Sequence, residues 1–147
     1  MKLPIILSAG SFFVAAGLAS AQPAPDAGRG LQAVLSGAAE APGPGDPDAT
    51  GSATITVNLG QNRVCYSLQV LNAAPATAAH IHVGPVGAAP PNNIVVTLVP
   101  PVSGASSGCA DVRRSLALAL LKNPAGYYVN VHNAEFPFGA LRGQLTK

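Results

Sequence analysis

Tryptophan is absent, and phenylalanine and tyrosine together make up 5% of the chain. Charged residues are equally sparse at 10%, and no basic run goes beyond Arg113-Arg114. Phosphate backbones are held by many cationic contacts and bases by aromatic faces, so nucleic acid is excluded as a partner. No βαβ rhythm and no internal repeat is present. The glycine-rich stretches lack the strand–helix setting and the lysine of a phosphate-cradling loop. No serine sits in a nucleophile elbow.

What is present begins with a leader. Met1 and Lys2 precede an almost wholly apolar or small run, Leu3 to Leu18, and Ala19-Ser20-Ala21 then fits signal peptidase cleavage before Gln22. An uncleaved N-terminal anchor is the alternative, but the run falls short of the roughly 18 to 20 residues that spanning requires. No cysteine stands at the cleavage point, which excludes a lipoprotein signal. The expectation is residues 1–21 as signal peptide, 22–30 as a flexible N-terminus, and one domain over 31–147. The product would be periplasmic or secreted, with no membrane span after cleavage. Loss of Lys2 leaves seven basic against six acidic side chains, a nearly neutral domain.

Two cysteines remain, Cys65 and Cys109. In an oxidising compartment a disulfide between them is the main reading. Free thiols and a thiolate metal site stay open as alternatives.

Glycine and proline cut the rest into short strands. Leu31–Ser36 is a first strand, and Ala38–Gly51, with three prolines, is a long loop. Ala53, Ile55, Val57 and Leu59 alternate with polar residues. After a Gly60-Gln61-Asn62 turn, Val64, Tyr66, Leu68 and Val70 do the same, so residues 52–71 read as an antiparallel hairpin. Cys65 falls opposite that apolar row, which puts its disulfide on the outer face or beneath a covering loop. Further strands are read at Ala79–Val83, Ile94–Val99, Tyr127–His132 and Ala140–Leu145, with Pro100–Gly108 as a turn-rich crossing. Ser115–Leu121 is the one expected helix, with Asp111 as its N-cap. About seven strands predict an all-β antiparallel Greek-key β-sandwich or partly closed barrel with at most one short helix.

The chemistry concentrates in three histidines, His80, His82 and His132, which are all the chain contains. His80 and His82 share one strand face, with Cβ atoms roughly 6.5 to 7 Å apart. In Tyr128-Val129-Asn130-Val131-His132, His132 lies opposite the apolar valines. If the two strands are neighbours, three neutral imidazoles meet at one point, a donor set that suits copper or zinc. Metal–nitrogen bonds near 2 Å then demand nitrogens roughly 3 to 4 Å apart. Histidines that merely support loops by hydrogen bonding are the alternative. Asn130, on the face of His132, and Glu135, in the adjoining loop, are candidates to orient an imidazole by accepting its second N–H. Arg142 shares the Ala140/Gln144 face and reads as a solvated strand residue.

Several segments, in order, resemble a CHRD domain, a module of chordin and of many small secreted bacterial proteins. They are Leu35-Ser36-Gly37 with Glu40, Gly51-Ser52-Ala53, Ala79-His80-Ile81-His82-Val83-Gly84, Tyr128 to His132, and Pro137 to Leu145. The likeness covers Leu31 to Leu145 and implies an extracytoplasmic β-sandwich without implying an activity. Ala41-Pro42-Gly43 stands where the family commonly has Pro-Pro. Ala140 stands where it commonly has an acidic residue, which removes a carboxylate beside Arg142.

The His80-Ile81-His82 strand is also similar to the copper-binding strand of copper/zinc superoxide dismutases, with Arg142 as counterpart of their active-site arginine. Their fourth copper histidine and zinc subsite have no match here. Three functions follow as expectations. The first is an exported copper- or zinc-binding module. The second is a dismutase-like copper enzyme, the one enzymatic reading. The third is a structural or interaction module for an extracytoplasmic protein partner, without metal.

Overall fold

The computed structural model describes residues 28–88 and 93–147. The expected leader and residues 22–27 of the expected flexible segment lie outside them. Eight strands occur among the described residues: β1 (Arg29–Ser36), β2 (Thr50–Asn58), β3 (Arg63–Leu71), β4 (Ala76–Val83), β5 (Ile94–Leu98), β6 (Ala105–Asp111), β7 (Tyr127–Asn133) and β8 (Leu141–Gln144). One α-helix, α1 (Arg114–Lys122), separates β6 from β7. All strand pairings are antiparallel, in the order β5-β4-β7-β8-β1-β2-β3-β6. The two outermost strands approach each other across a seam. There the Val99 amide donates to the Tyr66 hydroxyl at 2.8 Å and the Ser106 hydroxyl to the Val99 carbonyl at 2.7 Å. The result is a largely closed Greek-key barrel, as the strand pattern predicts.

Strand alternation supplies the core. Leu31, Ala33 and Leu35 of β1, Ile55 and Val57 of β2, Val64 and Leu68 of β3, Ile81 of β4, Val129 and Val131 of β7 and Leu141 of β8 all point inward. Each apolar side chain removed from water contributes roughly 1.5 to 3 kcal/mol, which makes this interior the dominant favourable term. Ala117, Leu120 and Leu121 of α1 join the same core.

Four sequence expectations need correction. β1 begins at Arg29, so Arg29 and Gly30 belong to a strand rather than to a flexible segment. Residues 105–108, read as part of a turn-rich crossing, are in β6, which pairs with β3 from Gln69↔Ala105 to Arg63↔Asp111. Its small residues carry no apolar alternation, and Gly108 lacks a side chain because the Tyr66 ring lies across it: an added Cβ would stand 2.6 Å from the Tyr66 hydroxyl. Asp111 is not the N-cap of α1. It accepts from Arg63 Nε at 2.9 Å, while Arg113 occupies the cap position with no side-chain capping bond. Arg142, finally, is not solvated; it is 2% exposed.

The disulfide joins Cys65 to Cys109, which face each other directly across β3 and β6. It sits on the outer face, Cys109 exposed and Cys65 half-buried, on the side the alternation assigns to Cys65.

Candidate metal centre

β4, β7 and β8 are consecutive in the sheet, and their even-numbered residues share the face turned away from the core. In register, His80 stands opposite Asn130 and Asn130 opposite Arg142, while His82 stands opposite Tyr128 and Tyr128 opposite Gln144. His132 pairs with Ala78 one step further along. An outward face is normally solvated, but here Asn130 and Arg142 are 3% and 2% exposed and His82 is 4% exposed. The cover comes from loops. The segment after β1 folds back through Gly45 N–H to Gly37 O and Asp46 N–H to Ala140 O, and so carries Glu40 onto the face. The Gly84–Ala88 segment closes a second side, pinned by Gln144 Nε2 to the Gly84 carbonyl at 2.8 Å.

Beneath these loops the three histidines converge, and their donor atoms all lie within 4.8 Å of one another. His80 Nδ1 and His132 Nε2 are 3.3 Å apart. The His82 ring lies edge-on to that of His80, with centroids 5.4 Å apart. On the far side of His132, Nδ1 lies 3.0 Å from the Pro137 carbonyl oxygen. A carbonyl only accepts, so His132 carries its proton on Nδ1 and presents the Nε2 lone pair toward His80. Both ring nitrogens of His82 are buried without a hydrogen-bond partner among the described residues. A buried polar atom left so costs roughly 1 to 3 kcal/mol, a cost that a bound ion would remove.

The electrostatics favour neutral rings. Burial, and then the neighbouring His80, His132 and Arg142, push the His82 imidazole down to about 4. Burial and His132 lower His80, and burial lowers His132 against the opposing bond to Pro137. Neutral imidazole is the metal-binding form. A tetrahedral or trigonal ion with bonds near 2 Å sets its nitrogens ~3.4 Å apart, which the His80–His132 pair meets; the widest spacing in the cluster must contract. The donor set can therefore hold a single metal ion.

Behind His82 stands a stack. The Tyr128 ring is parallel to that of His82, 4.9 Å between centroids at 4°, and Arg142 Cζ lies 3.5 Å from the Tyr128 centroid. Arg142 donates to the carbonyls of Ala88 at 2.7 Å and Pro85 at 3.0 Å.

The residues expected to orient an imidazole are placed otherwise. Asn130 donates from Nδ2 to Glu40 Oε1, and its own Oδ1 is buried without a partner among the described residues. Glu135 is exposed on a groove of about 490 Å³ that Glu40, Pro42, Pro44, Phe136, Pro137 and Phe138 also line. The Pro137 carbonyl does the orienting of His132. The sequence marks Glu40 only through the family resemblance, yet burial raises its carboxyl to about 7 against the lowering effects of Asn130, Arg142 and the Ala41 amide. Its carboxylate fills the place of a missing side chain at Gly139, where φ is +149° and an added Cβ would fall 2.5 Å from it.

Compared with known families, residues 31–145 match the CHRD domain. No curated protein and no solved structure matches the chain.

Proposed function

The chain belongs to the CHRD domain family, and within it we propose an exported metal-binding module that holds one copper or zinc ion through His80, His82 and His132. The observation that carries this reading is the meeting of three neutral imidazoles from two adjacent strands, one of them with both nitrogens buried and unpartnered. A set of nitrogen donors without a carboxylate suits copper or zinc rather than calcium or magnesium. Export is supported by the leader pattern and by an exposed disulfide, which persists in oxidising compartments. Among the described residues no helix is long and apolar enough to cross a membrane.

A dismutase-like copper enzyme is the lesser reading. In it Arg142 would steer an anion to the metal, but its guanidinium already donates to Pro85 and Ala88 and covers Tyr128. Binding rather than turnover is therefore the first expectation. The third reading, an interaction module for an extracytoplasmic protein, draws on the groove beside Phe138, which is 85% exposed.

The test is titration of the purified chain with Cu(I), Cu(II) and Zn(II), with metal content measured. One equivalent is expected to bind to the wild type and none to the His80→Ala/His82→Ala double variant. Absence of stoichiometric binding, or binding that survives the double substitution, removes the metal reading in favour of the interaction module. A superoxide assay on copper-loaded protein separates binding from dismutation.

A further inference from the structure

Arg142 lies close to the histidine cluster without supplying a donor to it. His82, Tyr128 and Arg142 come from three consecutive strands, β4, β7 and β8, so the tyrosine ring stands between the imidazole and the guanidinium. The cation is buried and fixed, because both of its donating nitrogens are held by main-chain carbonyls, which are neutral. Among the described residues no ion pair to Arg142 is formed. The three imidazoles carry no negative charge, and the residue two before Arg142 on its strand face is Ala140, which supplies none. A positive charge thus stands one aromatic ring away from the ligand set, with the Glu40 carboxyl near enough to act on it electrostatically but not ion-paired to it.

We propose that Arg142, acting through the Tyr128 stack, makes the three-histidine site favour singly charged copper over doubly charged ions. The proposal rests on the metal-binding reading above and names which ion that site takes. Its physical basis is that Coulomb repulsion from a fixed cation grows in proportion to the charge of the ion, so a divalent ion meets twice the opposition of a monovalent one. Burial removes the water that would screen this difference. Cation–π contact holds the guanidinium over the ring, so that the charge does not swing away. Arg142 is in this sense a tuning residue, which touches neither the ion nor its ligands.

The experiment compares wild type with Arg142→Gln, which keeps N–H donors for the two carbonyls but loses the charge, and Arg142→Lys, which keeps the charge. Affinities for Cu(I) and Cu(II) are measured by chelator competition, and the copper midpoint potential by mediator titration. In R142Q the affinity for Cu(II) relative to Cu(I) is expected to rise by about tenfold, a fall of about 59 mV for one electron. R142K is expected to retain the wild-type ratio. Equal shifts in both variants would assign the effect to packing and overturn the proposal, as would an unchanged ratio in R142Q.

A measurement on wild type alone covers the case in which R142Q does not fold. Ag(I), a singly charged probe without redox chemistry at the site, is expected to displace Zn(II) from the wild-type protein at equal concentration. Retention of Zn(II) counts against the proposal. Failure of the wild type to bind any of these ions would instead strike the metal-binding reading itself, and this inference with it.

Discussion

Two outward faces of one sheet have been treated in opposite ways. Along β3 and β6 the outward residues include Cys65, Ser67, Ser107 and Cys109; they are half-buried or exposed and closed by a covalent bond. Along β4, β7 and β8 the outward residues are histidines, Tyr128, Asn130, Arg142 and Gln144, largely buried under loops. On the first face the polar side chains Ser67 and Ser107 are open to solvent. On the second the protein must supply partners, and it does so unevenly. Gln144 Nε2 reaches three carbonyls and Arg142 two, while both His82 nitrogens and Asn130 Oδ1 have none among the described residues. The difference separates a face that serves stability from one that carries a standing cost, which a bound ligand would offset.

The division can be broken from the stability side. A Cys65→Ser/Cys109→Ser double variant is expected to lose about 4 kcal/mol in urea denaturation, from the loop-closure entropy of the unfolded chain. Its metal affinity should stay at the wild-type value, because the disulfide lies on the other face. A parallel loss of metal binding would show that the two faces are not independent.

A smaller effect sharpens the other side. Metal at a hundredfold excess over its Kd is expected to stabilise the protein by about 2.7 kcal/mol, read as a rise in thermal midpoint that His82→Ala abolishes. The pH dependence has a definite sign. The folded-state value of His82 is depressed to about 4 from 6.5, so the neutral ring's contribution is complete above pH 6.5 and lost as pH falls through about 4. The rise should therefore still be present at pH 6.5, where a free imidazole is half protonated, and be gone below pH 4, where His82 is protonated in the folded chain. Its absence at pH 6.5 would mean that the rings are not held neutral by burial.

The smallest of the three concerns the cover. Gly139→Ala places a methyl against the Glu40 carboxylate at a backbone angle unfavourable to any L side chain. A loss of about 2 kcal/mol is expected. Metal affinity should fall with it, since Pro137, which orients His132, lies in the same loop. An unaltered melting curve would show that the Glu40 loop is not pinned there.

How much of this could be read in the sequence depended on whether a side chain announces its own surroundings. The β2–β3 hairpin was legible because Ile55, Val57, Val64 and Leu68 alternate with polar residues, and alternation is what a half-buried strand produces. The histidines were legible because parity along a strand fixes the face. β6 was not, since Ala105, Ser106, Ser107, Gly108 and Ala110 carry no apolar alternation. The burial of Arg142 was not legible, because its own strand cannot reveal the loops from elsewhere that cover it. The Pro137 carbonyl had no signature at all, being main chain, and the role of Glu40 emerges only when a distant loop is folded onto β7 and β8.

The position of β8 has a consequence for how the molecule is assembled. It is the last strand of the domain in sequence, yet it lies between β7 and β1, joining β5-β4-β7 to β1-β2-β3-β6. Without residues 141–144, β7 and β1 lack the strand that joins them, Arg142 cannot cap Tyr128, and the histidine face has no floor on that side. Loss of β8 would therefore open the barrel between β7 and β1 and leave its two halves joined only across the β5–β6 seam, rather than shorten it slightly.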